Sequence, residues 1–368
     1  MRNGKPGGFK MTPLPNQENC SMEFIANDGA PRLSDVTEKL RSLRAKEQHL
    51  RGIARAWLGR AAWPAEDDLR FPEPVRAALP DLRRYLDSLV VPARRSGGGD
   101  GRSEKLLMKL RDGETVETVV LPKDGVCVST QVGCAVGCAF CMTGRSGLIR
   151  QLGSAEIAAQ VAAARRINPG IRKVDFMGMG EPSHNLRAVL EAVQFLGTYG
   201  DFGHKSLVIS TVGDPRIFDA LLSLKPTDVR PGLAVSLHSA IDEKRRHLIA
   251  KPGALSVTEI ISRAQAYSDA VKYPVQYEWV LIRGVNDGKD EIEKLASLLE
   301  GKNAMLNFIP VNRVEGSDFV RPEKGRCLEL AEILRSRGGV AKIRVSAAQD
   351  VEGGCGQLRA RTLKNFQP

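Results

Sequence analysis

The 368-residue chain predicts an α/β fold, a partial (β/α)6 TIM-like barrel with a small N-terminal helical domain. Three observations carry this. Apolar strand-like runs at Val174–Met177, Leu207–Ser210, Leu233–Leu237, Tyr277–Ile282, Leu306–Val311 and Ile343–Val345 alternate with helical stretches near 154–166, 186–199, 215–223, 258–271, 289–299 and 325–337. Strands separated by helices of that length imply βαβ units and a parallel sheet. Polar or Gly-rich clusters, Gly178-Met179-Gly180-Glu181-Pro182, Ser210-Thr211, Ser236-Leu237-His238 and Asn312, fall just after strand ends. That is where an α/β barrel carries its functional loops. Between Ser34 and about Val91, finally, Leu40, Leu43, Leu50, Ile53 and Trp57 recur at helical spacing, cut into short pieces by prolines.

The expected organisation follows in chain order. Residues 1–33 read as a disordered leader, rich in Gly, Pro and Asn. Residues 34–95 read as a small helical accessory domain. Residues 96–125 read as a linker and β-hairpin, Leu106–Leu110 and Val116–Leu121 joined at Asp112-Gly113. The barrel core spans 126–360, and 361–368 form a basic tail. No apolar run is long enough to span a bilayer and no apolar leader follows the first residues, so a cytoplasmic protein without membrane contact is expected. A net charge of +11 admits a polyanionic partner, most simply nucleic acid, or a basic solvated surface, with equal weight.

Seven cysteines, an odd number, argue against a disulfide scaffold. Cys134, Cys138 and Cys141 form a Cys-x3-Cys-x2-Cys set. Iron–sulfur clusters are held by such thiolates, and three cysteines leave one iron of a [4Fe–4S] cube open. That iron can chelate the amino and carboxylate groups of S-adenosylmethionine (SAM) for reductive cleavage to a 5′-deoxyadenosyl radical. Phe140 is suited to shield the cluster, and Gly137 lets the segment wrap. A structural zinc is the alternative, but no second Cys or His pair follows to close its site. Gly178-x-Gly180 lacks the third glycine of a dinucleotide fingerprint. It reads either as backbone contact with an amino acid ammonium or as an ordinary tight turn.

Taken together, Val116-Glu117-Thr118-Val119, Cys127–Cys134, Met177–Pro182, Ser210-Thr211, Ser236-Leu237-His238, Val285-Asn286-Asp287-Gly288, Ile309–Asn312 and Cys355-Gly356-Gln357-Leu358 resemble the RlmN/Cfr family of radical SAM RNA adenosine methyltransferases. The match runs over about residues 100–360 in family order. The resemblance implies methylation of C2 or C8 of an adenine in RNA, most simply 23S rRNA and possibly tRNA, with two SAM molecules per turnover. One would methylate Cys355. The other would yield the radical that activates that methyl group, and Cys127 would close a disulfide with Cys355 on product release. Glu117 would accept a proton. Gly180, Glu181, Ser210, Ser236, Leu237, His238 and Asn312 would bind SAM. A flavodoxin or ferredoxin reductant and a monomeric state complete the expectation. On the residues alone, Cys127 could equally be a core thiol, Cys355 a surface thiol and Glu117 a solvent-facing strand residue. Cys20 and Cys327 match no motif. The chain departs from the family pattern at Asp350–Gly354 and after Asn312.

Overall fold

The computed structural model describes residues 30–145, 147–250 and 255–359. Most of the expected leader, the basic tail and Cys20 lie outside them. Three helices open the chain: α1 (Leu33–Ser42), α2 (Glu47–Trp57) and α3 (Glu73–Ser88). An antiparallel meander follows, β1 (Val90–Gly97), β2 (Glu104–Leu110) and β3 (Thr115–Leu121), and leads into the short β4 (Gly125–Cys127). β5 (Gln131–Gly133) and β6 (Leu148–Gln151) form a separate hairpin around the cysteine loop.

Thereafter strand and helix alternate: α4 (Ser154–Ile167), β7 (Lys173–Phe176), α5 (Leu186–Tyr199), β8 (Leu207–Thr211), α6 (Pro215–Leu222), β9 (Gly232–Ser236), α7 (Asp242–Leu248), α8 (Val257–Val271), β10 (Val275–Leu281), α9 (Lys289–Leu299), β11 (Ala304–Pro310), α10 (Lys324–Ser336) and β12 (Val340–Ile343). The main sheet has ten strands in the order β1-β2-β3-β4-β7-β8-β9-β10-β11-β12. Every pair from β4 to β12 is parallel. This is the expected partial α/β barrel. The parallel strands are mostly apolar, because helices cover one face and the barrel interior the other, although β7 carries Lys173 and Asp175.

The division drawn from the sequence differs at the front. Val90–Gly97 is a strand rather than the end of a helical domain, and residues 98–103 are the turn of the β1–β2 hairpin. Its Arg94 and Arg95 are exposed, so the outer edge strand lacks an apolar alternation. Nor do α1–α3 stand apart. Leu40, Ile53, Trp57, Leu79 and Leu82 share one continuous core with the sheet and with α4. Polar contacts lock the same junction. Buried Arg165 of α4 donates to the carbonyls of Leu58, Ile171 and Gly200 and lies over the Phe202 ring at 4.0 Å. Arg55 of α2 pairs with Asp201 at 2.6 Å. Leu33 N–H donates to Ser154 Oγ at 2.9 Å, which fixes the first described residues to the start of α4.

Among the described residues, no helix is long and apolar enough to cross a membrane.

Candidate active site

The C-terminal ends of the parallel strands surround a cavity of about 880 Å³. The cysteine loop builds one wall. After β5 the chain turns at Gly133, whose φ of +80° is left-handed and whose added Cβ would meet Gly147 O at 2.0 Å. Only glycine fits there. Cys134 N–H donates to Gly147 O at 2.9 Å and Cys141 N–H to Cys138 O at 3.0 Å. Ala139 N–H reaches Leu248 O at the end of α7. Val136 and Phe140 pack with Val212, Leu248, Ile249 and Val280 into a small apolar cluster of their own, separate from the main core. Cys134, Cys138 and Cys141 all line the cavity as free thiols. Burial pushes the Cys134 thiol up to about 11, and the Cys141 and Glu181 charges add to it.

Strand ends β7 to β10 bring the predicted SAM residues to the same space. Gly180, Glu181, Ser210, Ser236 and His238 line it. Gly180 has φ +111°, and a Cβ would come within 2.7 Å of Thr130 Oγ1 and Gln131 Cγ. The Glu181 carboxylate accepts from Ser183 N–H, Thr211 Oγ1 and Val212 N–H, so it also knits the end of β8 to the glycine turn. His238 is buried with φ +59°. Its Nδ1 accepts from Val280 N–H at 3.0 Å, and its ring meets Phe140 edge-on at 4.7 Å. Burial, then the Arg245 cation, holds the imidazole down at about 3, so the ring is neutral. Asn286, from the Val285–Gly288 motif, serves the same corner: its Nδ2 donates to the carbonyls of His238 and Val280.

Two predicted SAM residues do not reach the cavity wall. Leu237 is fully buried and donates its N–H to Glu278 O at 3.0 Å. Asn312 Nδ2 donates to Ser346 Oγ at 2.8 Å and Cys355 O at 2.9 Å, which fastens the C-terminal loop.

The two other candidate thiols line the same cavity. Cys127 ends β4, in register with Val119 and Asp175, and Cys355 is carried by the loop after β12. Cys355 is exposed at the cavity, and burial among protein atoms pushes its thiol up. Gly356 has φ +81°, and its carbonyl accepts from Met142 N–H at 2.7 Å, joining the Cys355 loop to the cysteine loop. Cys327, by contrast, is buried in α10, away from this site.

Glu117, which the resemblance makes a proton acceptor, is not solvent-facing and does not line the cavity. It is 1% exposed, pairs with Lys105 Nζ at 3.3 Å and accepts from Arg359 N–H at 2.9 Å, because its place on β3 sets it between β2 and the returning C-terminal segment. The Cys127–Cys355 disulfide is not formed either: both are free thiols. Cys127 is fixed by sheet pairing, while Asn312 and Ser346 hold the Cys355 loop from the other side.

Sequence reasoning passed over four charged residues that complete the wall. Lys173 pairs with Asp175 at 3.0 Å, and Arg344 with Glu278 at 3.6 Å. Their signal was weak, since charges in or next to a strand carry no mark of the partner that the sheet brings beside them.

The Radical SAM superfamily pattern matches residues 128–299, which hold the cysteine triplet and strands β7 to β10. A probable RNA methyltransferase from Leptothrix cholodnii is 50% identical over 335 residues, covering 90% of this chain and 95% of that protein. The chain belongs to the radical SAM RNA methyltransferase family. A second relative of that description, from Ectopseudomonas mendocina, is 48% identical over 339 residues and covers 90% of this chain and 96% of its own. The crystal structure of a radical SAM methyltransferase from Sphaerobacter thermophilus aligns with a TM-score of 0.77 at 36% identity, covering 89% of this chain and 97% of that one.

The family implies a [4Fe–4S] cluster and SAM, and the donor set of this radical SAM methyltransferase fits them. Three thiols of one loop share a cavity wall and interact electrostatically with one another. Among the described residues, no three His, Cys, Asp or Glu side chains converge enough to hold a single ion. A four-iron cube takes one thiolate per iron, so it fits the loop without such convergence. The glycine turn at Gly178 and Gly180 lines the same cavity.

Proposed function

We propose that the protein methylates an aromatic carbon, C2 or C8, of an adenosine in RNA, first of all 23S rRNA, through a methyl group carried on Cys355. The observation that carries this reading is the presence of Cys127 and Cys355 as free thiols in the cavity that the cysteine triplet lines. A methyltransferase that displaced SAM directly onto its substrate would have no use for a thiol pair sharing a cavity with the triplet. The relatives, described as probable RNA methyltransferases, support the RNA substrate, as does the net charge of +11.

Bound in the cavity, the cluster and two SAM molecules per turnover supply a methyl group and a 5′-deoxyadenosyl radical, driven by a flavodoxin- or ferredoxin-type reductant. The chain's own part is positional. Cys355 takes the methyl group and presents it; its flanking Gly353-Gly354 and Gly356 give the loop the freedom to face both SAM and base. Cys127, fixed by sheet pairing on β4, stands as a second free thiol in the same cavity. Glu181, Ser210, Ser236 and neutral His238 hold the nucleoside and methionine ends of SAM. Phe140 and its apolar cluster keep water from the open iron. The adenine reaches this space flipped from its stack, which suits a monomer acting on cytoplasmic RNA.

Nucleoside mass spectrometry of 23S rRNA and tRNA, from cells with and without the gene, tests the reading. Loss of 2-methyladenosine or 8-methyladenosine from rRNA is expected. Loss from tRNA alone moves the substrate, and an unchanged nucleoside profile in both overturns the proposal.

A further inference from the structure

Arg344 is the residue this site leaves unexplained. It follows β12 directly, and its backbone N–H donates to Phe308 O at 2.8 Å, so its place on the cavity wall is set by the sheet. Its guanidinium meets Glu278 Oε1 through one nitrogen at 3.6 Å. That is a loose single contact rather than a bidentate fork. Glu278 is itself held by Asn307 Nδ2 at 2.8 Å, while its Oε2 is buried without a hydrogen-bond partner. Arg344 thus stands in a fixed place and is not consumed by its carboxylate.

We infer that Arg344 is a positioning residue for both reactive thiols: held against Glu278 on the cavity wall, its guanidinium supplies the positive charge that keeps Cys355, and then Cys127, reactive. The inference rests on the reading of Cys355 as methyl carrier. In that step the Cys355 sulfur forms a bond to the sulfonium methyl carbon, the sulfonium C–S bond breaks, and the electron pair leaves on S-adenosylhomocysteine. The thiol proton departs first, to water in the cavity, because the thiolate is the nucleophile.

The neighbourhood makes a cation necessary. Cys355 is faced by Arg344 after β12, Glu278 of β10, Asp175 of β7, the Ser346 hydroxyl and Cys127 of β4. Burial raises both thiols. Glu278 and Asp175 raise Cys355 further, and Asp175 and Cys355 raise Cys127. Lys173 is spent on Asp175 at 3.0 Å. Arg344 opposes the burial and the acids at both sulfurs, and Ser346 helps it at Cys355 by hydrogen bonding. Without Arg344, two thiolates would have to form in turn beside two carboxylates in the cavity.

The test is anaerobic, peptide-resolved labelling of Cys355 and Cys127 with iodoacetamide between pH 6 and 10, on the cluster-containing protein. R344M should slow labelling of Cys355 at pH 8 by about tenfold or more, the change that one unit of thiol pKa produces. R344K should restore most of the rate, although a purely structural role for the planar fork would leave Lys no better than Met. E278Q removes a carboxylate and should shift the labelling midpoint to lower pH. Superimposed pH profiles for R344M and wild type, at equal iron content, overturn the inference. If R344M does not fold, an E278Q midpoint that stays put or rises overturns it. Incubation with SAM alone separates the two readings. A wild-type Cys355 that never gains a methyl group sinks the carrier reading, whatever Arg344 does to labelling.

Discussion

On one side of the cavity, three cysteines stand within eight consecutive residues, on a loop with its own apolar cluster and glycine turns. Elsewhere on the same wall, Cys127 and Cys355 come from distant parts of the chain and stand among buried charges, Asp175, Glu278 and Arg344. The first half is local in sequence, its turns set by glycine chemistry, although it rests on Leu248, Val212 and Val280. The second half is a product of topology, and exists only when β4, β7, β10 and β12 are all in place. The two halves can therefore be altered one at a time.

The largest effect that separates them is expected from Cys138→Ala. It should abolish cluster assembly, seen as loss of iron, sulfide and visible absorbance after anaerobic reconstitution. Wild-type iron content in C138A would break the comparison at its root. Cys355→Ala should do the reverse, keeping full iron while product nucleoside falls below detection by mass spectrometry. Retention of methylation in C355A would reduce the second half to scaffolding.

How far each half was legible follows from the same contrast. The triplet announced itself, because ligand spacing along one loop is a property of the sequence itself. The six parallel strands from Val174 onward and their helices were legible for a related reason: a buried parallel strand needs a continuous apolar run. The misses were elements whose signal lies in their partners. β1 carries exposed Arg94 and Arg95 on an outer strand. α7 reads Asp-Glu-Lys-Arg-Arg-His-Leu with no apolar period, and is held by buried Arg245 donating to the carbonyls of Ser236 and Leu237. Glu117 came from resemblance alone, and the structure sets it in an ion pair with Lys105 away from the cavity. Arg344 and Glu278 could be named only once their strands were adjacent.

A smaller effect sharpens the junction between the halves. Gly356→Ala puts a side chain at φ +81°, with its Cβ 2.7 Å from Phe140 O. It should cost about 2 kcal/mol in urea unfolding, as left-handed strain in a tight site does, and lower methylation without lowering iron. No change in either stability or turnover would show that the two loops are not coupled there.

The smallest effect is confined to acid. His238, held neutral at about 3 in the folded protein against 6.5 when free, binds fewer protons folded than unfolded between those values. Its contribution is therefore full above pH 6.5 and is lost as pH falls toward 3. His238→Asn should flatten the decline of thermal stability across that window, as read by melts at stepped pH. Parallel declines for variant and wild type would place the acid sensitivity elsewhere.

The C-terminal loop is tied to the far end of the sheet. Gly99 N–H donates to the Asp350 carboxylate at 2.6 Å across 251 positions, Ala348 N–H donates to Ser103 Oγ, and Arg359 N–H closes on Glu117. Contacts of such sequence separation form late, because the intervening chain must be ordered first. The cysteine loop also waits on later chain, since Ala139 N–H closes on Leu248 O across 109 positions and Phe140 packs on Val280. The clasp between the β1–β2 turn and Asp350 spans more than twice that distance in sequence, so the C-terminal loop is fastened only once both ends of the sheet are in place.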